Sequence, residues 1–219
     1  MSIGFVLAVV IAGVVFPSPR WDGDTTAFAA ALAHPLAWSV GEIFSLLIIP
    51  GWLGLAVALH GLAPPSSRWF TTMGLVLTAG YVATVGANDV VQITTIRLNL
   101  EAGTTEGLAL WVKDNPRSLF FSLEMLGYAW QSFAAGLLAF AFTGAGIERW
   151  IRWLFGGVVV SGAMGLVAAW LGLPFLHPFT IAGSALWTVT FAPGTILCAV
   201  ALRRAIVGRP LTRRRRLSR

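Results

Sequence analysis

Long apolar segments recur from one end of the chain to the other. Five of them, at residues 36–60, 69–91, 119–142, 153–175 and 179–202, contain 23 to 25 residues each. At a rise of about 1.5 Å per residue, each is long enough to cross a hydrocarbon core of about 30 Å as an α-helix. The pattern predicts an all-α, polytopic transmembrane helix bundle, with residues 1–219 forming a single transmembrane helical domain.

A sixth apolar segment, residues 2–17, is shorter than the others. Its length overlaps that of a signal-peptide core, but no Lys or Arg precedes it and no clear A-x-A cleavage site follows it. These features favour a retained first span. We therefore expect six spans, or five if this segment is cleaved.

The balance of charge supports a membrane protein and predicts its orientation. The chain is 57% hydrophobic and only 11% charged, whereas soluble domains have about 25% charged residues. If the N-terminus is cytoplasmic, 11 of the 15 basic residues lie on the inner side, eight of them in the tail at 203–219. This bias follows the positive-inside rule. It predicts a multi-pass plasma-membrane protein with both termini in the cytoplasm, whose basic tail contacts lipid head groups and not nucleic acid.

Three acidic residues lie inside the apolar segments, and their positions provide the clearest indication of function. The predicted topology places Glu42, Asp89 and Glu124 in the outer half of the membrane, each on a different span. An acidic side chain at the centre of a span costs about 2.5 to 3.5 kcal/mol, so such residues normally face the bundle interior. We expect the three to meet in an outward-facing pocket, where they are the candidate catalytic residues.

Polar and aromatic residues on neighbouring helix positions are the candidate ligand-binding residues. They are Trp38, Asn88, Gln92, Arg97, Tyr128, Gln131 and Trp187. Arg97 is the only basic residue predicted near the carboxylates, so at least one acid should hold a proton, because burial and like charge favour the neutral form. A neutral acid beside a carboxylate is an acid/base pair or a proton-coupling site. The alternative is that Glu42 and Glu124 are hydrated at the interface while Asp89 pairs with Arg97.

Prolines occur at matching positions in the second and sixth spans. His34-Pro35 and His177-Pro178 begin these spans, and Pro50-Gly51 and Pro193-Gly194 follow, with 16 residues from His to the second Pro in both cases. A proline inside a helix removes a hydrogen bond to the carbonyl four residues earlier. Bends near Leu46 and Val189 would separate the outer halves of these helices and leave space between them; the alternative is coincidence, with kinks that serve packing alone.

Two further patterns concern packing. In the connection at residues 92–118, Leu108, Trp111 and Val112 are spaced to form one apolar face of a short helix, which would be a lid or an interfacial connector. In the fifth span, small residues at four-residue spacing, Gly157, Ser161 and Gly165, favour close helix contact. That contact would lie within the bundle or across a homodimer.

Recognised cofactor and metal motifs are missing from the sequence. It contains no Walker A motif, no Rossmann fingerprint, no G-x-S-x-G elbow and no H-x-x-x-H or H-E-x-x-H spacing. Its one cysteine, Cys198, rules out an intrachain disulfide. We expect neither a cofactor nor a metal ion.

Basic and aromatic residues begin the spans that start on the inner side. Arg68-Trp69-Phe70 and the run 149–153, Arg-Trp-Ile-Arg-Trp, have this form. With this layout the chain resembles bacterial six-span integral membrane proteins of unknown function. The resemblance covers most of the chain and implies the architecture, but it carries no activity.

These features suggest three functions. The first is binding of a small apolar or amphipathic molecule in the carboxylate pocket, with proton-transfer chemistry such as isomerisation, cyclisation or hydration if the protein is an enzyme. The second is a small proton-coupled carrier with the prolines as hinges. The third is a non-catalytic subunit of a larger membrane complex. The expected partners are membrane lipids, the small ligand and a second copy or a larger assembly.

Overall fold

The computed structural model describes residues 21–32 and 39–207, whose regular secondary structure is entirely helical. Within them lie α1 (Thr25–Ala31), α2 (Val40–Leu62), α3 (Arg68–Val91), α4 (Arg97–Glu101), α5 (Leu119–Leu138), α6 (Ile147–Trp170) and α7 (Pro178–Val207). Short 3-10 turns occur at Pro65–Ser67, Leu108–Leu110 and Ala139–Ala141, and a π-helical turn at Gln92–Ile96 joins α3 to α4. No strand occurs in the described part of the chain. The predicted all-α class is confirmed.

Several predicted features lie outside the described residues. They are the first span at 2–17, the beginning of the second span with His34, Pro35 and Trp38, and the tail from residue 208 onward.

Four helical segments are long and apolar enough to cross a membrane. They are Val40–Leu62, Pro65–Glu101, Ile147–Trp170 and Pro178–Ala205. The 20-residue helix α5 lies outside this set. It carries Glu124, Tyr128 and Gln131 and is packed between α3 and α6, so its surface need not be apolar enough to face lipid.

Apolar side chains cover the outer faces of the helices as well as forming much of the core, and polar side chains are buried among them. Leu47, Val57, Val76 and Val189 are more than half exposed on the outer helix faces. The interior holds acids, amides and hydroxyl groups, and Glu42, Asn88, Asp89, Gln92, Gln131 and Thr78 are all buried. Apolar surface outside and polar groups inside suit a protein whose solvent is lipid.

Among the described helices, the order of packing leaves one side of the bundle open. Helix α5 packs against both α3 and α6, while α2 packs on α3 and α7 packs on α6. Helices α2 and α7, at the two ends of this series, contact each other only sparsely. The gap between them lies partly at the end of the bundle where α2, α5 and α7 begin. Residues 102–118 cover this end of the bundle.

Several helices differ from their predicted spans at one end, and in two of them a local feature gives the reason. The segment that begins at Arg68 continues past Val91 through the π-helical turn to Glu101, so the connection predicted to begin at Gln92 begins at residue 102. Helix α6 begins six residues before the predicted start and ends five residues before the predicted end. It ends there because Gly172 adopts φ +65° and the Leu173 N–H donates to the Ala168 carbonyl at 2.9 Å, a glycine-dependent helix stop.

Small residues allow close approach of α5, α6 and α7. A Cβ added to Gly162 would lie 2.4 Å from the Ser132 Cβ, and one added to Gly157 would lie 2.7 Å from the Thr190 Cγ2. The Ser161 hydroxyl donates to the Gly183 carbonyl at 2.9 Å. The stripe of small residues predicted on this helix therefore packs within the bundle, against α7 and α5.

Candidate functional site

The structure brings together the three acids that the sequence singles out. Glu42 on α2, Asp89 on α3 and Glu124 on α5 each place a carboxylate oxygen within 4.8 Å of the other two. All three side chains are buried, with at most 5% of their surface exposed. The alternative in which Glu42 and Glu124 are hydrated at an interface does not fit this burial. We call Glu42, Asp89 and Glu124 the carboxylate cluster.

A lysine from the loop reaches the carboxylate cluster. The Lys113 ammonium forms an ion pair with Glu42 Oε1, and the lysine side chain is 18% exposed. Burial alone would lower the pKa of Lys113, but the nearby acids Glu42, Glu124 and Asp114 outweigh it and raise this pKa above its ordinary value. Lys113 is therefore an ammonium at neutral pH, and its stabilising charge is lost only in strong alkali.

The prediction that Arg97 is the nearest basic residue to the acids is wrong. Its guanidinium forms an ion pair with Glu101 at 2.7 Å, and its Nε donates to the Ile93 carbonyl at 2.8 Å. Asp89 consequently has no bridge to Arg97. A π-helical turn lies between Asp89 and Arg97, and such a turn changes the phase of the helix, so the sequence spacing did not predict the direction of Arg97.

The loop that carries Lys113 is tied to α3. Gln92 donates through Nε2 to the Trp111 carbonyl at 2.8 Å, and its Oε1 accepts the Lys113 backbone N–H at 3.4 Å. Asn115, which is also buried, donates to the Ala109 carbonyl at 2.6 Å. We call residues 102–118 the lid. Its polar anchors place the Lys113 side chain over the carboxylate cluster.

The lid also has an apolar attachment. Leu108 and Val112 are buried together with Phe28, Ile96 and Leu100. The three apolar residues predicted to form one helix face divide in the structure, because Trp111 is 46% exposed and packs beside Phe120 instead. A 3-10 turn at Leu108–Leu110 takes the place of the predicted short helix.

Two of the three amides predicted to bind ligand, Asn88 and Gln92, instead hold the protein's own groups. Asn88 donates to Glu124 Oε2 and lies 3.4 Å from the Phe120 carbonyl. Gln92 contacts Asn88 and the lid. Gln131 lies deeper on α5, where neither its amide nitrogen nor its oxygen has a hydrogen-bond partner in the described part of the protein. The structure thus places Asn88 and Gln92 behind the acids as supports.

A cavity of about 370 Å³ adjoins the carboxylate cluster. At its polar end are Glu42, Lys113, Glu124, Ser45 and Tyr128, and the Ser45 and Tyr128 hydroxyl groups lie 3.1 Å apart. The rest of its wall is apolar over most of its area, with Met125, Met164, Phe175 and Trp187, and also carries the hydroxyl residues Ser132, Ser161, Thr180, Ser184 and Thr188. Asp89 belongs to the cluster but lies behind this wall. Of the residues predicted to bind ligand, Tyr128 and Trp187 line the cavity.

The cavity lies where the matched prolines predict space. Gly41 and Glu42 line it from α2, and Gly183 and Trp187 line it from α7, in each case before the proline of that helix. Both helices continue without a break through Pro50 and Pro193. His177 does not reach the cavity wall; its Nδ1 accepts the Phe179 N–H at 3.2 Å and caps the start of α7.

The buried face of α3 is polar along most of its length, which the sequence reading did not recognise. Thr71, Thr78, Tyr81, Asn88 and Gln92 recur every three to seven residues, and all are fully buried. The Thr78 hydroxyl and the Tyr81 hydroxyl lack hydrogen-bond partners among the described residues. Buried groups of this kind usually bind ordered water or a ligand. The spacing of these polar residues could be read from the sequence, but each of them taken alone is also typical of a residue that serves only helix packing.

The carboxylate cluster also has the donor type that hard cations prefer. Three carboxylate oxygens within 4.8 Å of one another can surround such an ion. Histidine motifs, on which the expectation of no metal was based, play no part in a site of this kind. In this structure the positive charge beside the cluster belongs to Lys113.

Lys113 is the important site residue that sequence reasoning missed. It is the only lysine in the chain and lies in a loop, which made it look remote from the spans. A signal that could have found it was its position in the connection that directly follows the helix of Asp89.

Comparison with protein-family models, curated proteins and solved structures finds no match for this chain.

Proposed function

We propose that the protein is a six-span plasma-membrane protein with both termini in the cytoplasm and the lid on the outer side. The four long apolar helices support this topology, and so does the basic residue bias toward the opposite end of the bundle. Helix α5 is the fourth span in chain order, shielded from lipid by its neighbours, and residues 2–17 supply the first.

The function that the site supports best is binding of a small amphipathic molecule in the outward-facing cavity. Its polar head contacts Glu42, Lys113 and Glu124, and its apolar part lies against Met125, Phe175 and Trp187. One observation carries this proposal, namely that two carboxylates and an ammonium line one end of a 370 Å³ cavity whose remaining wall is largely apolar. Few convergent polar groups in an apolar cavity are typical of small-molecule sites.

The same groups suit proton-transfer chemistry on a bound molecule. Three acids share one ammonium, so a carboxyl group that keeps its proton lies beside one that is ionised. The neutral acid donates a proton to the ligand, the ionised one accepts a proton, and the Tyr128 hydroxyl orients the reacting group. Isomerisation, cyclisation and hydration of a lipid-like substrate all need no more than this.

A cavity-filling variant tests the binding proposal. A side chain at Gly165 points into the cavity, where the nearest atom to an added Cβ is the Met125 sulfur at 3.8 Å. Gly156 on the same helix is exposed and has nothing within 4 Å, so Gly156→Leu is a matched control. The probes are decylamine, decanol and decanoate, each with a mid-chain diazirine, photocrosslinked to the protein in nanodiscs and mapped by peptide mass spectrometry.

We expect at least one of the three probes to label residues of the cavity wall. Gly165→Leu should reduce this labelling roughly tenfold, because the added side chain occupies the apolar end of the cavity, while Gly156→Leu should leave it unchanged. If none of the probes labels the wall, or if both variants label like the original protein, the protein does not bind amphipaths in this cavity.

A proton-coupled carrier is the second candidate, and Asp89, which forms no ion pair with the described residues, favours it. This acid is fully buried within the carboxylate cluster and begins the polar face of α3 that leads toward the other end of the bundle. In proteoliposomes that contain pyranine, Asp89→Asn should abolish the protein-dependent entry of protons driven by a pH gradient. Glu101→Gln, which removes an exposed acid from α4, should not. Proton entry equal to that of empty liposomes for the original protein would exclude the carrier.

A further inference from the structure

We propose that the ligand of this cavity is an amphipathic amine, and that Lys113 occupies the place of its head group until the ligand binds. The inference rests on the proposed binding function and specifies the chemical class of the ligand. Three independent features support it: the excess of negative charge, the chemistry of the lysine side chain and the aromatic wall beneath it.

The charge at the head of the cavity favours a cation. Three buried carboxylates meet there, and Lys113 is the one basic residue that pairs with them in the described part of the chain. Arg97 is already paired with Glu101, and Asp114 adds a further acid near the lysine. Asp89 is completely buried and forms no ion pair with any of the described residues. With one acid protonated and one paired with Lys113, one carboxylate remains for a second positive charge, which is therefore bound more favourably than a neutral or anionic group.

Lys113 itself shows what the site accepts. Its side chain is a primary ammonium at the end of a four-carbon apolar stem, inserted from the lid so that the ammonium meets Glu42 at the cavity wall. An alkylamine presents the same ammonium and the same kind of stem. The ammonium of such a ligand competes with Lys113 for the same carboxylates.

The wall next to the acids is aromatic. Tyr128 and Trp187 line the cavity with their ring centroids 5.9 Å apart in an edge-to-face arrangement. Trp187 also stacks on Phe191 at 4.5 Å, and the Tyr128 hydroxyl lies 3.1 Å from that of Ser45, so neighbours fix both rings. Ring faces attract ammonium groups and also cover apolar chains, which suits an amine with a hydrocarbon tail.

Competition with Lys113 links ligand binding to the lid. The lysine is one of the lid's attachments, together with the contacts of Gln92 to Trp111 and to the Lys113 backbone. When a ligand ammonium takes the place of the lysine, the lid loses its ionic attachment and keeps the others. Ligand binding thus weakens the closed position of residues 102–118.

The decisive test compares the three diazirine probes, which share one chain and differ only in head-group charge. We expect half-maximal labelling of the cavity wall at an approximately tenfold lower concentration for decylamine than for decanol, and weakest labelling by decanoate. Glu124→Gln should reduce the preference for decylamine, whereas the control Glu101→Gln should preserve it.

Lys113→Met distinguishes most sharply between two roles of the lysine, because one role predicts stronger labelling by decylamine and the other predicts weaker labelling by decanoate. If Lys113 competes with the ligand, its removal strengthens labelling by decylamine severalfold. If Lys113 binds an anionic head group, its removal weakens labelling by decanoate. If this variant fails to fold, the relative labelling by the three probes on the original protein and on Glu124→Gln still tests whether the ligand is an amine.

Two outcomes overturn the inference. If decanoate or decanol labels the wall as strongly as decylamine does, the ligand is not specifically an amine. The amphipath-binding function would then stay intact, provided that Gly165→Leu still removes the labelling. Weaker decylamine labelling in a folded Lys113→Met protein would refute the competition with the lysine. Absence of labelling by all three probes would instead refute the proposed function itself.

Discussion

Replacing Lys113 with methionine is expected to lower the free energy of unfolding by about 3 to 5 kcal/mol, the usual cost of leaving a buried charge without its partner. Methionine keeps the apolar stem but removes the ammonium that faces Glu42, Glu124 and Asp114. Three buried carboxylates would then meet without any cation. Thermal and denaturant unfolding in a mild detergent measures the loss.

A comparison with Glu42→Gln checks this explanation. That variant should cost far less, because it removes one of three crowded carboxylates and leaves Lys113 facing Glu124. The double variant should recover part of the stability that Lys113→Met loses. The deficit of Lys113→Met should also shrink as the pH falls, since protons neutralise the acids that the lysine otherwise balances. Equal losses in the two single variants, with no dependence on pH, would contradict the charge argument.

Alanine at Gly162 is expected to destabilise the protein, while alanine at Gly156 stabilises it. Both glycines lie within α6, where alanine gains roughly 1 kcal/mol in helix propensity. At Gly162 the new Cβ would lie 2.4 Å from the Ser132 Cβ and 3.3 Å from the Ala129 Cα, so α5 and α6 must separate. Overpacking of this kind costs about 1 to 3 kcal/mol, and because both variants share the gain in propensity, their stabilities should differ by about that amount.

The same unfolding measurement compares the two glycine variants directly. Gly156 is exposed and has nothing within 4 Å of an added Cβ, so it reports the propensity alone. A Gly162→Ala protein as stable as Gly156→Ala would show that α5 and α6 are not in the close contact described above.

The helices themselves were predictable because their apolar segments are long. The helices around Trp52, Leu75 and Val167 fall within the predicted segments, with ends that differ by up to a turn or two. Where the ends differ, a local feature decides. Gly172 stops α6 through its positive φ, and the π-helical turn at Gln92–Ile96 carries the α3 segment onward. A hydropathy pattern predicts neither the glycine stop nor the π-helical turn.

The candidate site was predictable in part. The shared depth of Glu42, Asp89 and Glu124 followed from the topology, and their burial followed from the cost of placing an acid in lipid. The support given by Asn88 to Glu124 depends on which residues of α3 and α5 face each other, and the sequence does not contain that information. Arg97 was assigned to the acids on sequence spacing that the π-helical turn alters.

The sequence by itself determined that this protein is a helical membrane bundle with three acids at one depth, because hydrocarbon length and the cost of buried charge act on each segment separately. Tertiary structure alone decided that Lys113 reaches those acids, since the path of the lid depends on Gln92 and on the apolar contacts of Leu108 and Val112. It also decided where the cavity lies, because the space beside Glu124 and Trp187 exists only through the order in which the helices pack.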